Sequence, residues 1–125
     1  MKFILQFFTW WNGQTLGTRF FTWRKGRKVG QDGQGNIYYR DKADQRRWVI
    51  YNGLAEPSRV PPEWHGWLHF TQSMPPGEDI ELRDWQKPHK PNMTGTPDAY
   101  RPDGSLLKPG KRPPATGDYE AWTPE

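Results

Sequence analysis

All 13 prolines of this 125-residue chain lie at or after Pro57, and that one-sided placement constrains the fold more than any other feature. Proline fixes its own φ and lacks the amide donor that helices and sheets need, so regular structure concentrates in the first half. The last 40 residues hold 8 Pro and 4 Gly and read as an irregular, extended arm. The remainder must build its core from unusual material. Trp, Tyr and Phe number 8, 5 and 6, whereas Val, Ile and Leu together number 14. Disordered chains are poor in aromatics, and each ring can bury roughly 150–250 Å². The chain therefore carries large anchors dispersed through polar, Gly/Pro-rich sequence, an arrangement suited to lying on another surface.

Charge is equally one-sided. Residues 1–30 contain Lys2, Arg19, Arg24, Lys25, Arg27 and Lys28 and no acid, although the whole chain carries only +4. With no Cys, disulfides, Cys-based zinc sites, iron–sulfur ligation and thiol nucleophiles are excluded. No apolar run approaches the ~20 residues of a membrane span, and the mean hydropathy of -1.06 agrees. The opening MKFILQFFTWW has neither the cleavage site of a secretory signal nor the Arg/Ser richness of a presequence. The expectation is a bacterial cytoplasmic protein, or one imported without a removable leader.

Phe3, Ile4, Phe7, Phe8 and Trp11 share one face of a helix expected over 3–12, with Asn12-Gly13 as its stop. Ten residues span only ~15 Å, so this helix could rest on a membrane surface or in a protein groove but not cross a bilayer. Phe20-Phe21-Thr22-Trp23 then leads into the basic cluster 24–28, and its local structure stays open. Residues 28–31, 37–40 and 46–51 alternate or are β-branched and aromatic, and they are separated by the Gly-rich turn 32–36 and the polar turn 41–45. They predict a three-stranded antiparallel meander. Pro61-Pro62-Glu63 opens a short helix that places Trp64, Trp67 and Leu68 on one face against the meander, Gly66 limiting it to two or three turns. The fold class is small α+β: an amphipathic basic segment at 1–26, the meander and short helix at 27–72, and a Pro/Gly-rich arm at 73–125.

Candidate chemistry is sparse. His65 and His69 have the i, i+4 spacing of two zinc ligands, with Glu63 and His89 as the available third donors, but two histidines on a short helix more often hydrogen-bond backbone or a partner. The acids Glu78, Asp79, Glu81 and Asp84 read as a solvated loop, and no serine sits in a nucleophile-elbow pattern. Gly30, Gly33 and Gly35 suit hairpin turns better than a phosphate loop. Asn92-Met93-Thr94 matches the glycosylation pattern, which matters only in a secreted chain. Aromatics interleaved with basic residues raise nucleic-acid binding, weakly supported by a pI of 9.5. Trp23, Tyr38-Tyr39 and Trp48 mimic the order of the proline-binding WW module but lack its intervening residues and its final proline.

Read in order, GQDGQGNIYYR, RRWVIY, VPPEWHGWLHF with Pro75-Pro76 after it, HKPNMTGTPDAY and YEAWTPE resemble the small accessory subunit of respiratory complex I, a peripheral-arm family with an assembly-factor branch. The resemblance runs from about Val29 to the C-terminus. It implies no catalysis and no cofactor, but a subunit lying along the hydrophilic arm, near the iron–sulfur and quinone-proximal core subunits, on the cytoplasmic face of a bacterial inner membrane or the matrix side of a mitochondrial one. A folded middle of about 50 residues is small for a self-sufficient core, and a Pro-rich arm can reach across neighbours with little ordering entropy. The resulting expectation is a clamp. Its interface candidates are Phe7, Trp11, Arg24, Lys25, Arg27, Lys28, Trp64, Trp67, His89, Asn92, Thr94, Gly95, Tyr100 and Trp122, with Trp64 and Trp67 equally suited to the core.

Overall fold

The structure is a computed structural model that describes residues 2–9, 13–77 and 83–124, with only the backbone of Lys2, Phe3 and Gln6. In chain order it contains α1 (Lys2–Phe8), α2 (Leu16–Lys25), β1 (Arg27–Gln31), β2 (Ile37–Arg40), β3 (Arg47–Ile50), one turn of 3-10 helix (Pro57–Arg59) and α3 (Pro62–Leu68). Two compact units result, Met1–Pro91 and Asn92–Glu125. The three strands form one antiparallel sheet in the order β1-β2-β3, the small α+β arrangement that the strand periodicities predict.

Pairing of Tyr38 with Val49 and of Tyr39 with Trp48 puts consecutive tyrosines on opposite faces of the sheet. Tyr38 faces α3 and is fully covered, and it forms the core with Val60, Trp64 and Trp67. Its ring stacks on Trp64 at 3.9 Å between centroids, and Trp67 meets both rings edge-on. The stack requires Gly30: a Cβ there would stand 2.6 Å from the Trp64 ring. Gly30 thus belongs to β1 and serves α3, a use that its grouping with the turn glycines Gly33 and Gly35 does not reveal. A bulge between Lys28 and Gly30 sets the register that aims it at Trp64.

The β1–β2 turn is organised by one carboxylate. Asp32 Oδ1 accepts from the amides of Gln34 and Asn36, and Oδ2 accepts from Asn36 Nδ2 and from the Tyr38 hydroxyl, both at 2.8 Å. Asn36, also fully buried, passes the connection on by accepting from the Asn52 amide.

At the other end of the sheet Arg47 joins β3 to the exit of α3. Its Nε and Nη2 donate to the two oxygens of Asp44, at 3.0 and 2.7 Å, and Nη1 donates to the carbonyls of Trp67 and Gln72. The guanidinium lies over the rings of Trp67 and Phe70, and the side chain is 4% exposed. Hydrogen bonding from Arg47 holds the Asp44 carboxyl below its ordinary range. Phe70 adopts a left-handed φ of 59°, unfavourable for a non-glycine residue, and its ring contact with Arg47 helps to keep it there.

The described part of α1 is Lys2–Phe8, and Thr9 donates both its amide and its hydroxyl to the Leu5 carbonyl; Trp10, Trp11 and Asn12, the rest of the helix expected over 3–12, lie outside the described residues. The open stretch around Phe20 is a full helix, α2, started by Thr15, whose hydroxyl accepts from the Thr18 amide.

Two outcomes follow from this core. Arg47→Met should lower unfolding free energy by about 2–4 kcal/mol, because it leaves two carbonyls and a carboxylate without their donor, and Arg47→Lys should recover only a fraction; urea denaturation measures both. Burial and the Asp32 carboxylate raise the Tyr38 phenol well above its ordinary value. The folded state then holds this proton more tightly than the unfolded state, so the stabilisation is full below the unfolded value near ~10 and is lost as pH rises beyond it. The urea midpoint should fall above that pH, and Tyr38→Phe should flatten the slope.

Candidate interaction surface

The second face of the sheet carries Tyr39 and Trp48, stacked at 6.2 Å and 14°. α2 lies across it. Phe21 meets the Trp48 ring at 5.3 Å, and Trp48 Nε1 donates to Thr22 Oγ1 at 2.9 Å. Gly26 permits this close approach, since a Cβ would stand 2.5 Å from the Thr22 carbonyl and 3.1 Å from Trp48. A helix thus meets each face of the sheet, α3 at Tyr38 and α2 at Trp48, and Trp48, one of the rings in the WW-like order, is engaged within the chain.

The outer side of α2 is different. Leu16, Phe20 and Trp23 recur at i, i+4, i+7 and form one stripe, with Phe20 and Trp23 in ring contact at 5.8 Å. Phe20 is 59% exposed and Trp23 79%. Ile4, Phe7 and Phe8 of α1 are exposed as well. Arg24 and Lys25 occupy the last turn of α2, where cations complement the helix dipole; Arg27 and Lys28 are exposed on β1.

Of the remaining candidates, Trp64 and Trp67 stand in the core, their rings covered by Tyr38, Gly30 and Arg47 instead of offered to a partner. His89 Nε2 lies 2.9 Å from the Ser58 carbonyl and ties segment 83–91 to the 3-10 turn. The His65 and His69 rings lie 4.2 Å apart between centroids, tilted by 35°. No group of three or more potential ligands gathers around them or elsewhere among the described residues.

The second unit has no helix or strand among its described residues, and local turns shape it. Asn92 Oδ1 accepts from the Thr94 amide, the Thr96 amide returns to the Met93 carbonyl, and Gly95 supplies the left-handed φ of 84° between them. Arg112 and Asp118 pair at 2.6 Å, and Lys108 pairs with Asp103 at the same distance. Tyr100, Tyr119 and Trp122 are all at least 80% exposed. Sequence reasoning missed the Phe20–Trp23 stripe, although the i, i+4, i+7 spacing from Leu16 was available once Thr15 was read as a helix cap.

Fold and surface define a class: a small α+β module with an aromatic core, uncovered aromatic anchors on its helices and a turn-rich C-terminal segment. The family described as NADH ubiquinone oxidoreductase subunit NDUFA12 matches residues 26–124. A protein of Arabidopsis thaliana named probable NADH dehydrogenase (ubiquinone) 1 alpha subcomplex subunit 12 is 37% identical over 106 residues, 77% of this chain and 65% of the plant protein. The Bos taurus protein named as the same subunit is 40% identical over 98 residues, covering 66% of this chain and 67% of its own. A bacterial relative, an uncharacterized protein of Rickettsia prowazekii, is 35% identical over 69 residues, 50% of this chain and 68% of that protein. The chain spans just under two-thirds of the length of the plant relative. It belongs to the NDUFA12 family, as VPPEWHGWLHF and HKPNMTGT suggest.

The way α2 is held is testable in isolation. Trp48→Phe keeps the ring stack but removes the donor to Thr22, so amide exchange in 19–25 should quicken about fivefold while the β2–β3 amides stay unchanged by the same hydrogen-exchange measurement.

Proposed function

We propose that this chain is a non-catalytic accessory subunit of respiratory complex I, carrying no cofactor and stabilising the peripheral arm by clamping across its core subunits. Family membership supports the assignment to that enzyme, whose name the relatives carry. The observation that carries the clamp is the division of labour among the rings. Trp64, Trp67 and Tyr38 are enclosed, whereas Phe7, Tyr100 and Trp122 are each at least 70% exposed, and exposed rings of this kind are the usual anchors of protein interfaces.

Binding on the iron–sulfur and quinone-proximal subunits, at the cytoplasmic face of a bacterial inner membrane or the matrix side of a mitochondrial one, follows from the same reading. No described helix is long and apolar enough to cross a membrane; in the proposed arrangement the exposed rings hold the chain to its neighbours. His89 ties segment 83–91 to Ser58 within the first unit, and within the second unit the turn at Asn92, Thr94 and Gly95 precedes the exposed Tyr100.

On a native gel the protein should comigrate stoichiometrically with active NADH:ubiquinone oxidoreductase, and Tyr100→Ser with Trp122→Ser should release it without unfolding it. Recovery only on immature complexes would reassign the chain to the assembly-factor branch, and absence from both would sink the reading.

A further inference from the structure

We propose that the outer face of α2 is a membrane-contact face that lies on a bilayer surface containing anionic phospholipid. α2 precedes the stretch matched by the family, residues 26–124, so the inference rests on this chain's own surface and not on the accessory-subunit reading.

The side of α2 that faces the sheet is already committed to Trp48 through Phe21, Thr22 and the close approach at Gly26. At 100° per residue the Leu16, Phe20 and Trp23 stripe points the opposite way. Arg19 and Arg24 fall on either flank of that stripe, within one helical step of it. The arrangement is an apolar ridge with a cation on each shoulder. Trp and Phe favour the headgroup level of a bilayer, where an aromatic body is sheltered and polar groups stay wet, and Arg stems can lie along the ridge while their guanidinium groups reach phosphate.

Charge selects the kind of surface. The first 30 residues hold six cations and no acid, and the exposed Arg27 and Lys28 continue the basic run into β1. Six cations with no acid among them complement a uniformly anionic surface, which the phosphate layer of an anionic bilayer supplies. A headgroup layer leaves both cations hydrated and pairs them with phosphate. Ten residues give α2 a length of about 15 Å, enough to lie in the interface and too short to span it. The contact of α2 with Trp48 fixes the direction of this face relative to the sheet.

Sedimentation of the full chain with phosphatidylcholine vesicles, with and without phosphatidylglycerol, tests this. The expected result is binding that needs phosphatidylglycerol and weakens at high salt. Arg19→Gln with Arg24→Gln should lower partition about 20-fold, and Phe20→Ser with Trp23→Ser at least about 10-fold, in variants whose circular dichroism matches the unaltered chain. Equal binding to both vesicle types, no binding to either, or a loss produced by Phe7→Ser with Phe8→Ser but not by the α2 variants would overturn the proposal. A protein that comigrates with the respiratory complex yet ignores vesicles would refute this face alone and leave the accessory-subunit reading standing.

Discussion

The Arg47 guanidinium is the interaction on which the folded unit depends. It reaches the β2–β3 turn through Asp44, the end of α3 through the Trp67 carbonyl, and the reversal beyond it through the Gln72 carbonyl and the Phe70 ring. All five donors of an arginine point outward in one plane, so a single side chain can join three segments that are far apart in sequence. An apolar residue of similar volume could cover Trp67 but could not satisfy the carbonyls. Lysine could satisfy one carbonyl but could not lie flat between two rings. Burying a charge is costly unless it is paired and hydrogen-bonded, and here the carboxylate, two carbonyls and two ring faces supply those partners.

This reliance on polar cross-links follows from the composition. With few aliphatic residues the module packs rings, and rings need flat neighbours: Tyr38 on Trp64 on one side of the sheet, Tyr39 on Trp48 on the other. Flat stacking leaves the edges of the sheet thinly covered. Polar networks close them. Asp32, Asn36 and Asn52 secure one end, Arg47 and Asp44 the other, and Arg59 ties the 3-10 turn to the carbonyls of Asn52 and Leu54. Where buried polar groups are this fully satisfied, they specify one arrangement of a core whose apolar area alone would be modest.

The strand pattern was legible because it is local. Alternation in IYYR and RWVI assigns Tyr38 and Tyr39 to opposite faces, and Pro61-Pro62 ahead of Glu63 marks the start of α3. The parts that escaped are set by distant partners. Arg47 looks like any exposed strand cation until residues 20 and 25 positions away come to meet it. Gly30 looks like a turn glycine until Trp64, from another element, lies against it. α2 was hidden for a different reason: β-branched and aromatic residues are mediocre helix formers, so only Thr15 at its start and the cations in its last turn announce the helix. For the interaction surface, sequence could name exposed aromatics as anchors but not separate them from core rings, because Trp64 and Trp23 differ only in what covers them.

That distinction has a physical consequence for the N-terminal half. The meander determines which side of α2 can be seen, because Trp48 holds the helix at Thr22 and Phe21, and every residue half a turn away is then forced outward. Phe20 and Trp23 are exposed as the geometric complement of a well-made internal contact. Such a helix presents its ridge at a fixed angle to the sheet, so little orientational entropy is lost when that ridge meets a surface. A free amphipathic helix would have to lose that entropy on binding. The hydrogen bond from Trp48 therefore does more than join two elements: by fixing the direction of the basic, aromatic face, it couples the folding of the module to the way that face can dock.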